Sequence, residues 1–270
     1  SFFEEKLRDD PRITSTELFG ISISYNDQLL FALHLARWLR RVNKDAMVVL
    51  GGTAISKVVR YTQPLSLVGR LHEVCDGVVI GLSRFEGGGD RCSDASPVID
   101  ADGTLLGRTR MVHITDYDGF YEQGYYRPGD TGAPVHATAA GRIGVAICYD
   151  RHYPEYMRAL ALGGAELVIV PQAGTVGEWP EGLYEAEMRV AAFQNGYFVA
   201  LANRVGEEPR LTFAGESFVC DPAGHVVARA AQGTDEILTC RLDLDEIARS
   251  HACTLFLRDR RPALYPEWFR

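Results

Sequence analysis

A surplus of positive charge is the first thing this sequence lacks. Aspartate and glutamate total 36 against 28 lysines and arginines, so the net charge is −8 at pH 7. That excludes the basic footprint through which phosphate backbones are held, and nucleic acid is not an expected partner. No stretch approaches the ~18 apolar residues of a membrane span. The opening Ser1-Phe-Phe-Glu-Glu-Lys-Leu-Arg-Asp-Asp10 mixes acids and bases around no apolar signal core. A cytoplasmic protein with no membrane partner is therefore expected. The six cysteines (Cys75, Cys92, Cys148, Cys220, Cys240 and Cys253) form no CxxC pair and no zinc spacing. No metal site is expected from them, and a special cysteine has to be found by its surroundings.

What is present points to a globular enzyme-sized chain. At 270 residues and 46% apolar, it can bury the core of one large domain or two small ones. Residues 1–16 read as a polar leader. Strands are expected at 18–25, 46–50, 77–81 and 96–100, with a turn at Asp102-Gly103 and an ordered loop over 115–134. Further strands are expected at 142–147, 167–170, 197–202, 216–220, 226–229 and 236–240. Helices are expected from Asn26 or Asp27 to about Val42, with Leu29, Leu33, Ala36 and Leu39 on one face, and at 65–75, 156–163, 181–195 and 243–250. Alternating strands and helices imply an α/β fold whose sheets are covered by helices.

Cys148 follows the apolar strand Arg142-Ile-Gly-Val-Ala-Ile147 and precedes a helix. Open α/β folds place their chemistry at such carboxyl ends, and backbone N–H groups there favour a thiolate and hold an oxyanion. From position alone a packed thiol and a nucleophile are both consistent.

Gly141-Arg-Ile-Gly-Val-Ala-Ile-Cys-Tyr-Asp-Arg-His-Tyr-Pro-Glu155, followed by Gly164-Ala-Glu-Leu-Val-Ile-Val-Pro171, resembles the nucleophile segment of the nitrilase superfamily of carbon–nitrogen hydrolases. Tyr125-Tyr-Arg-Pro-Gly-Asp130, Asn195-Gly196, Ala202-Asn-Arg-Val-Gly206, Gly215-Glu-Ser217, Asp221-Pro222 and Arg258-Asp-Arg-Arg-Pro-Ala-Leu-Tyr265 extend the resemblance in order. The nearest branch is that of N-carbamoyl-amine amidohydrolases, the β-ureidopropionases and N-carbamoylputrescine amidases. The resemblance implies a four-layer α-β-β-α sandwich over about 82–270. It implies a Glu/Lys/Cys triad forming a cysteine acyl-enzyme, with no metal or organic cofactor. It also implies a small-molecule amide or carbamoyl substrate, and a homodimer or higher homo-oligomer built on helices such as 156–163 and 181–195. By the same resemblance Cys148 is the nucleophile, Glu122 the second, positioning glutamate and the Tyr149 N–H the oxyanion donor. Arg151 and Asn203 are expected to line the substrate pocket. His113 is expected to hydrogen-bond its loop, and His152 is an alternative base.

Two triad positions depart from the pattern. The family segment Arg-Lys-x-His-Ile aligns without a gap on Arg110-Met-Val-His-Ile114, so Met111 stands where the lysine belongs, and no lysine follows Lys57. Arg108 or Arg110 could supply the charge, with a guanidinium's different geometry. The first glutamate is missing too, because the strand Met47-Val-Val-Leu50 runs into Gly51-Gly-Thr-Ala54. Phe19-Gly-Ile-Ser-Ile-Ser-Tyr-Asn26, Leu35-Ala-Arg-Trp-Leu39, Val48-Val-Leu-Gly-Gly-Thr53 and Cys75-Asp-Gly-Val-Val-Ile-Gly81 instead resemble the cobalamin-binding region preceding radical-SAM cores. That leaves three expectations for 17–81, a β-α-β-α-β segment: part of the sandwich, a fusion, or a cobalamin-binding module. The leading expectation is a hydrolase of non-peptide C–N bonds with turnover weakened by the lost lysine and glutamate. The alternatives are a non-catalytic scaffold or small-molecule binder of the same fold, or the cobalamin module.

Overall fold

The computed structural model describes residues 18–22, 35, 38–39, 41–42, 47–51, 80–81, 84–86, 92–235 and 238–268. The expected leader, the helix at 65–75 and Gly52 lie outside the described residues. The first strands are β1 (Leu18–Ser22), β2 (Met47–Gly51), β3 (Ile80–Gly81), β4 (Arg84–Glu86), β5 (Ser93–Ile99) and β6 (Leu105–Arg110). A short hairpin, β7 (Asp116–Tyr117) and β8 (Phe120–Tyr121), lies in the segment expected as loop. Then come β9 (Val135–Thr138), β10 (Gly141–Val145), helix α1 (Pro154–Leu162), β11 (Leu167–Gln172), helix α2 (Leu183–Asn195) and β12 (Phe198–Asn203). The chain continues through β13 (Val205–Glu207), β14 (Thr212–Ala214), β15 (Phe218–Cys220), β16 (Val226–Arg229) and β17 (Thr239–Cys240). Helices α3 (Asp245–Arg249) and α4 (Tyr265–Trp268) follow.

Six strands make one sheet in the order β16-β15-β12-β11-β10-β9. Its centre, β10-β11-β12, is parallel, and parallel neighbours need crossover connections. Helices α1 and α2 provide them. Pro154 opens α1, where a missing N–H costs nothing, and Gly196 closes α2 at φ 73°, a left-handed position suited to glycine. Gly144 in β10 has a different role. A Cβ there would meet Leu160 at 3.0 Å, so its absence lets α1 lie close on the sheet.

Strand alternation sorts the core into layers. Val168 and Val170 of β11 pack with Met157, Leu160, Met188 and Ala192 of the helices. Leu167 and Ile169 turn the other way and join Ile143, Val145 and Phe198 against Val98 of β5 and Met111 just past β6. Each such fully buried aliphatic side chain contributes roughly 1.5–3 kcal/mol. The second set comprises β17-β1-β2 and β3-β5-β4, with β6 on β5, and β2 packs beside β3. Leu35, Trp38 and Leu39 are helical and buried. The architecture is the α-β-β-α sandwich expected from the sequence. Among the described residues no helix is long and apolar enough to cross a membrane.

Two features of the strands matter. Strands β6, β9, β13 and β14 carry glycine, charge or too few residues to announce themselves, and exist because neighbouring strands need backbone partners. The N-terminal strands also do not stand apart. β1 pairs in parallel with β2 and antiparallel with β17, Leu18 opposite Cys240, so they share hydrogen bonds with the far end of the hydrolase-like region.

Candidate active site

The chain leaves β10 through extended Ile147 and enters Cys148 at φ 47°. Among the described residues only Cys148 and Glu216 combine a side chain with positive φ. Such a conformation costs about 1–3 kcal/mol and survives only where its surroundings enforce it. Here they do. Cys148 opens a 3-10 turn, Cys148–His152, in which the Asp150 N–H donates to Ile147 O at 2.9 Å and Arg151 Nη1 donates to Cys148 O at 2.8 Å. The opening N–H groups of such a turn have no acceptor within it, and that of Tyr149 is among them.

Asp150 is fully buried beneath the turn. Its carboxylate accepts the Val112 N–H at 3.1 Å, the His113 N–H at 2.9 Å and His113 Nδ1 at 2.8 Å. Burial raises its pKa, against the pull of these donors. The His113 ring stacks on Tyr153 at 3.4 Å, so the loop after β6 is fastened to the turn carrying the cysteine, the loop-bonding role expected of His113.

The sulfur itself lies between the ends of β10 and β11. The Ala173 N–H, just past β11, hydrogen-bonds it. Burial pushes the thiol up to about 12; Arg151 opposes this, Glu122 adds to it, the Ala173 bond opposes and Glu178 adds. The resting group is therefore a neutral thiol flanked by two carboxylates and one guanidinium.

Glu122 opens a short 3-10 turn, Glu122–Gly124, after the β7–β8 hairpin. Thr115 Oγ1 donates to its Oε2 at 2.5 Å. Burial raises the Glu122 pKa, Thr115 counteracts, and the Glu178 charge raises it further. Glu122 thus lies within electrostatic reach of the sulfur rather than in open solvent. Met111 is a core residue, 1% exposed, in the intersheet cluster against which Cys148 packs. The arginines weighed as substitutes are engaged elsewhere. Arg108 pairs with Glu86, and Arg110 binds Glu86 at 2.7 Å and Asp130 at 2.6 Å.

Arg151 is buried, with its Nε 3.6 Å from Glu187 Oε2 of α2 and its guanidinium 4.9 Å from the Tyr184 ring centre. Its Nη2 has no hydrogen-bond partner among the described residues. His152 is held by Glu187, Nδ1 to Oε1 at 2.6 Å. Asn203, expected in the substrate pocket, is spent on backbone. It accepts the Gly174 N–H at 2.7 Å and donates to Gly174 O at 3.2 Å and Gly215 O at 2.9 Å. It lines a cavity of about 230 Å³ with Gln172, Tyr184 and Glu216, and its amide works as a clamp between loops. Among the described residues no three His, Cys, Asp or Glu side chains converge as a metal-binding set.

Sequence reading missed Glu178, Tyr117 and Tyr184. Both tyrosine hydroxyls donate to Glu178, one to each oxygen, and the Thr175 N–H donates at 2.8 Å. Burial and then Glu178 hold both phenols well above their ordinary pKa. The only signal was an acid beside Trp179 in a link between strand and helix, which any solvated loop could carry.

Residues 75–252 match the family described as carbon-nitrogen hydrolase, and the chain belongs to that family. It is 40% identical over 205 residues to an N-carbamoylputrescine amidase of Solanum tuberosum, covering 70% of this chain and 67% of that one. A citrullinase of Francisella tularensis is 35% identical over 202 residues, covering 72% and 71%. Among solved structures, a carbon-nitrogen hydrolase from Helicobacter pylori G27 superposes with TM-score 0.81 at 28% identity, covering 94% of this chain and 98% of its own. An amidase from Nesterenkonia sp., at 23% identity and TM-score 0.73 over 94% and 97%, shares the fold. The Helicobacter match spans nearly the whole chain, N-terminal third included, and the cobalamin-binding resemblance of that third finds no support in these relatives. Shared sheet hydrogen bonding through β1 and β17 is the physical reason to set it aside. The protein is a carbon–nitrogen hydrolase.

Proposed function

We propose that the bond cleaved is the C–N bond of an N-carbamoyl amine or short linear amide, through an S-acyl intermediate on Cys148, a thiocarbamate from the former and a thioester from the latter. The observation that carries this reading is the strained turn at Cys148, with the Ala173 N–H on the sulfur and Glu122 and Arg151 within electrostatic reach. Glu122 takes the thiol proton as sulfur adds to the carbonyl carbon. The oxyanion is received by the Tyr149 N–H. The C–N bond then breaks and nitrogen leaves with the proton from Glu122. Water adds to the acyl carbon, sulfur departs and regains a proton, and the acid is released. From a carbamoyl group that acid is carbamic acid, which falls apart to carbon dioxide and ammonia. Arg151 holds the turn through Cys148 O and sets a positive charge within reach of the sulfur and of a substrate bound there; Asn203 positions loops.

Without a lysine at 111, oxyanion stabilisation rests on backbone dipoles. Losing one such donor costs roughly 2.7–4 kcal/mol, so turnover is slow for the family. The second reading, a non-catalytic binder, is favoured by the burial of Met111 and the raised thiol. A homo-oligomer would use the outer faces of α1 and α2, where Leu162 is 53% and Val190 50% exposed. The deciding experiment incubates the protein with N-carbamoylputrescine, N-carbamoyl-β-alanine and simple amides. Ammonia release, and an acyl adduct on Cys148 by intact mass, are expected; both vanish in Cys148→Ala. Absence of adduct and product across the panel leaves the binder.

A further inference from the structure

Arg151 brings positive charge to the buried Cys148 sulfur, against the negative charge of Glu122 and Glu178. Helix α2 sets Glu187 beside it, and the two carboxylate oxygens are divided. His152 Nδ1–H donates to Oε1 at 2.6 Å, while Oε2 stops 3.6 Å from Arg151 Nε. At that separation the pair is a charge contact without a hydrogen bond. Neither Arg151 Nε nor Glu187 Oε2 has a hydrogen-bond partner among the described residues. Arg151 is only 4% exposed, so water screens the contact little.

A donor and an acceptor of opposite charge that lie so close would ordinarily close to about 2.7–2.9 Å. His152 holds the carboxylate back. Its ring is set edge-on to Tyr149 at 5.2 Å and to Trp179 at 5.1 Å, centre to centre, and its bond keeps Oε1 at the end of the turn. Arg151 is fixed from its own side, by Nη1 on Cys148 O at 2.8 Å and by the Tyr184 ring at 4.9 Å. Two neighbouring residues of the cysteine's turn therefore take hold of one carboxylate from both ends. A carboxylate standing off from a guanidinium cancels part of its field at a third group, and one closed onto it cancels more.

We propose that Glu187 is a positioning residue for the chemistry at Cys148: standing off from Arg151 under the restraint of His152, it sets how much of the guanidinium's charge reaches the sulfur. The inference deepens the hydrolysis proposed above and rests on it for its consequence in turnover, where the same charge faces a developing oxyanion. His152 is then a spacer and passes no proton. Glu122, Glu178, Tyr117 and Tyr184 also face the thiol, and they form the fixed background against which Glu187 acts.

The test follows Cys148 alkylation by iodoacetamide against pH, because its rate tracks the thiolate fraction and its midpoint the ionisation of the thiol. Glu187→Gln keeps an oxygen for His152 and removes the charge. The midpoint should fall by about half a pH unit or more, which is roughly threefold faster alkylation at a fixed pH below it. His152→Phe keeps the ring contacts and frees the carboxylate to close on Arg151, so the midpoint should rise. In the double variant the His152 substitution should add nothing to Glu187→Gln. A merely structural role loosens the turn in both variants and speeds alkylation in both, which overturns the proposal. Alkylation needs no turnover, so the two readings separate. If the midpoints part in opposite directions while no urea or amide is cleaved, the positioning role stands and the hydrolysis reading fails. If substrates are cleaved while both variants keep the wild-type midpoint, the hydrolysis stands and the positioning role falls.

Discussion

Asp150 takes both the backbone N–H and the ring Nδ1 of His113, at 2.9 and 2.8 Å, and thereby joins the loop after β6 to the turn that bears Cys148. Removing one partner leaves buried donors with nothing to bind. Asp150→Ala is expected to destabilise the fold by roughly 3–5 kcal/mol, read from urea denaturation, because an uncompensated buried polar group is costly. His113→Phe keeps the stack on Tyr153 and removes only the ring bond, so about 1–2 kcal/mol should go. Equal losses from both would refute the division of labour.

The thiols make stability depend on pH. Cys148 and the buried Cys220 are both pushed up to about 12, mainly by burial, while an unfolded cysteine titrates near ~8.5. A group raised on folding stabilises fully below its unfolded value and loses that contribution as the pH climbs through the folded one. Stability should therefore decline from pH ~8.5 upward, by at most about 1.4 kcal/mol per pH unit for each thiol. Urea midpoints at pH 8 and pH 10 check this, and Cys148→Ser should show the smaller drop.

Restoring a lysine is informative in two directions. Met111→Lys places an ammonium in the intersheet core, which should cost ~2–4 kcal/mol of stability. Because Cys148 packs on the same cluster, the charge should also lower the alkylation midpoint of the thiol by about one pH unit or more. An unchanged midpoint means that position 111 does not face the sulfur.

Glu122 has its pKa lifted by burial, held back by Thr115 and lifted further by Glu178, which makes it a stronger proton acceptor than an ordinary carboxylate. Glu122→Gln should lower kcat ~10²–10⁴-fold while leaving the thermal midpoint within a few degrees. Thr115→Val deletes the bond that holds this pKa down. The acidic limb of the pH–rate profile should then move to higher pH.

The α/β alternation was legible because its central strands are continuous apolar runs, such as Leu167–Val170, punctuated by Gly163-Gly164 and Gly196, while the four-layer sandwich was what the family resemblance implied. Cys148 was singled out from the motif around it, and Glu122 from its place in the loop after Met111; the structure brings the two within electrostatic reach of each other. Glu178 was not singled out, because its significance lies in two tyrosines, one 61 residues earlier and one six residues later, that only the fold brings to it. Asn203 was ambiguous for a related reason: a polar residue at a strand end offers its amide to substrate or to backbone alike, and here its amide bonds Gly174 and Gly215 while it also lines a cavity.

The pairing of Leu18 with Cys240 also has a consequence for biosynthesis. During translation β1 emerges long before its antiparallel partner exists, so one edge stays open until the segment around Cys240 has left the ribosome. Loop closure over such a span is slow, and the nascent N-terminal strands are the natural client segment for a chaperone.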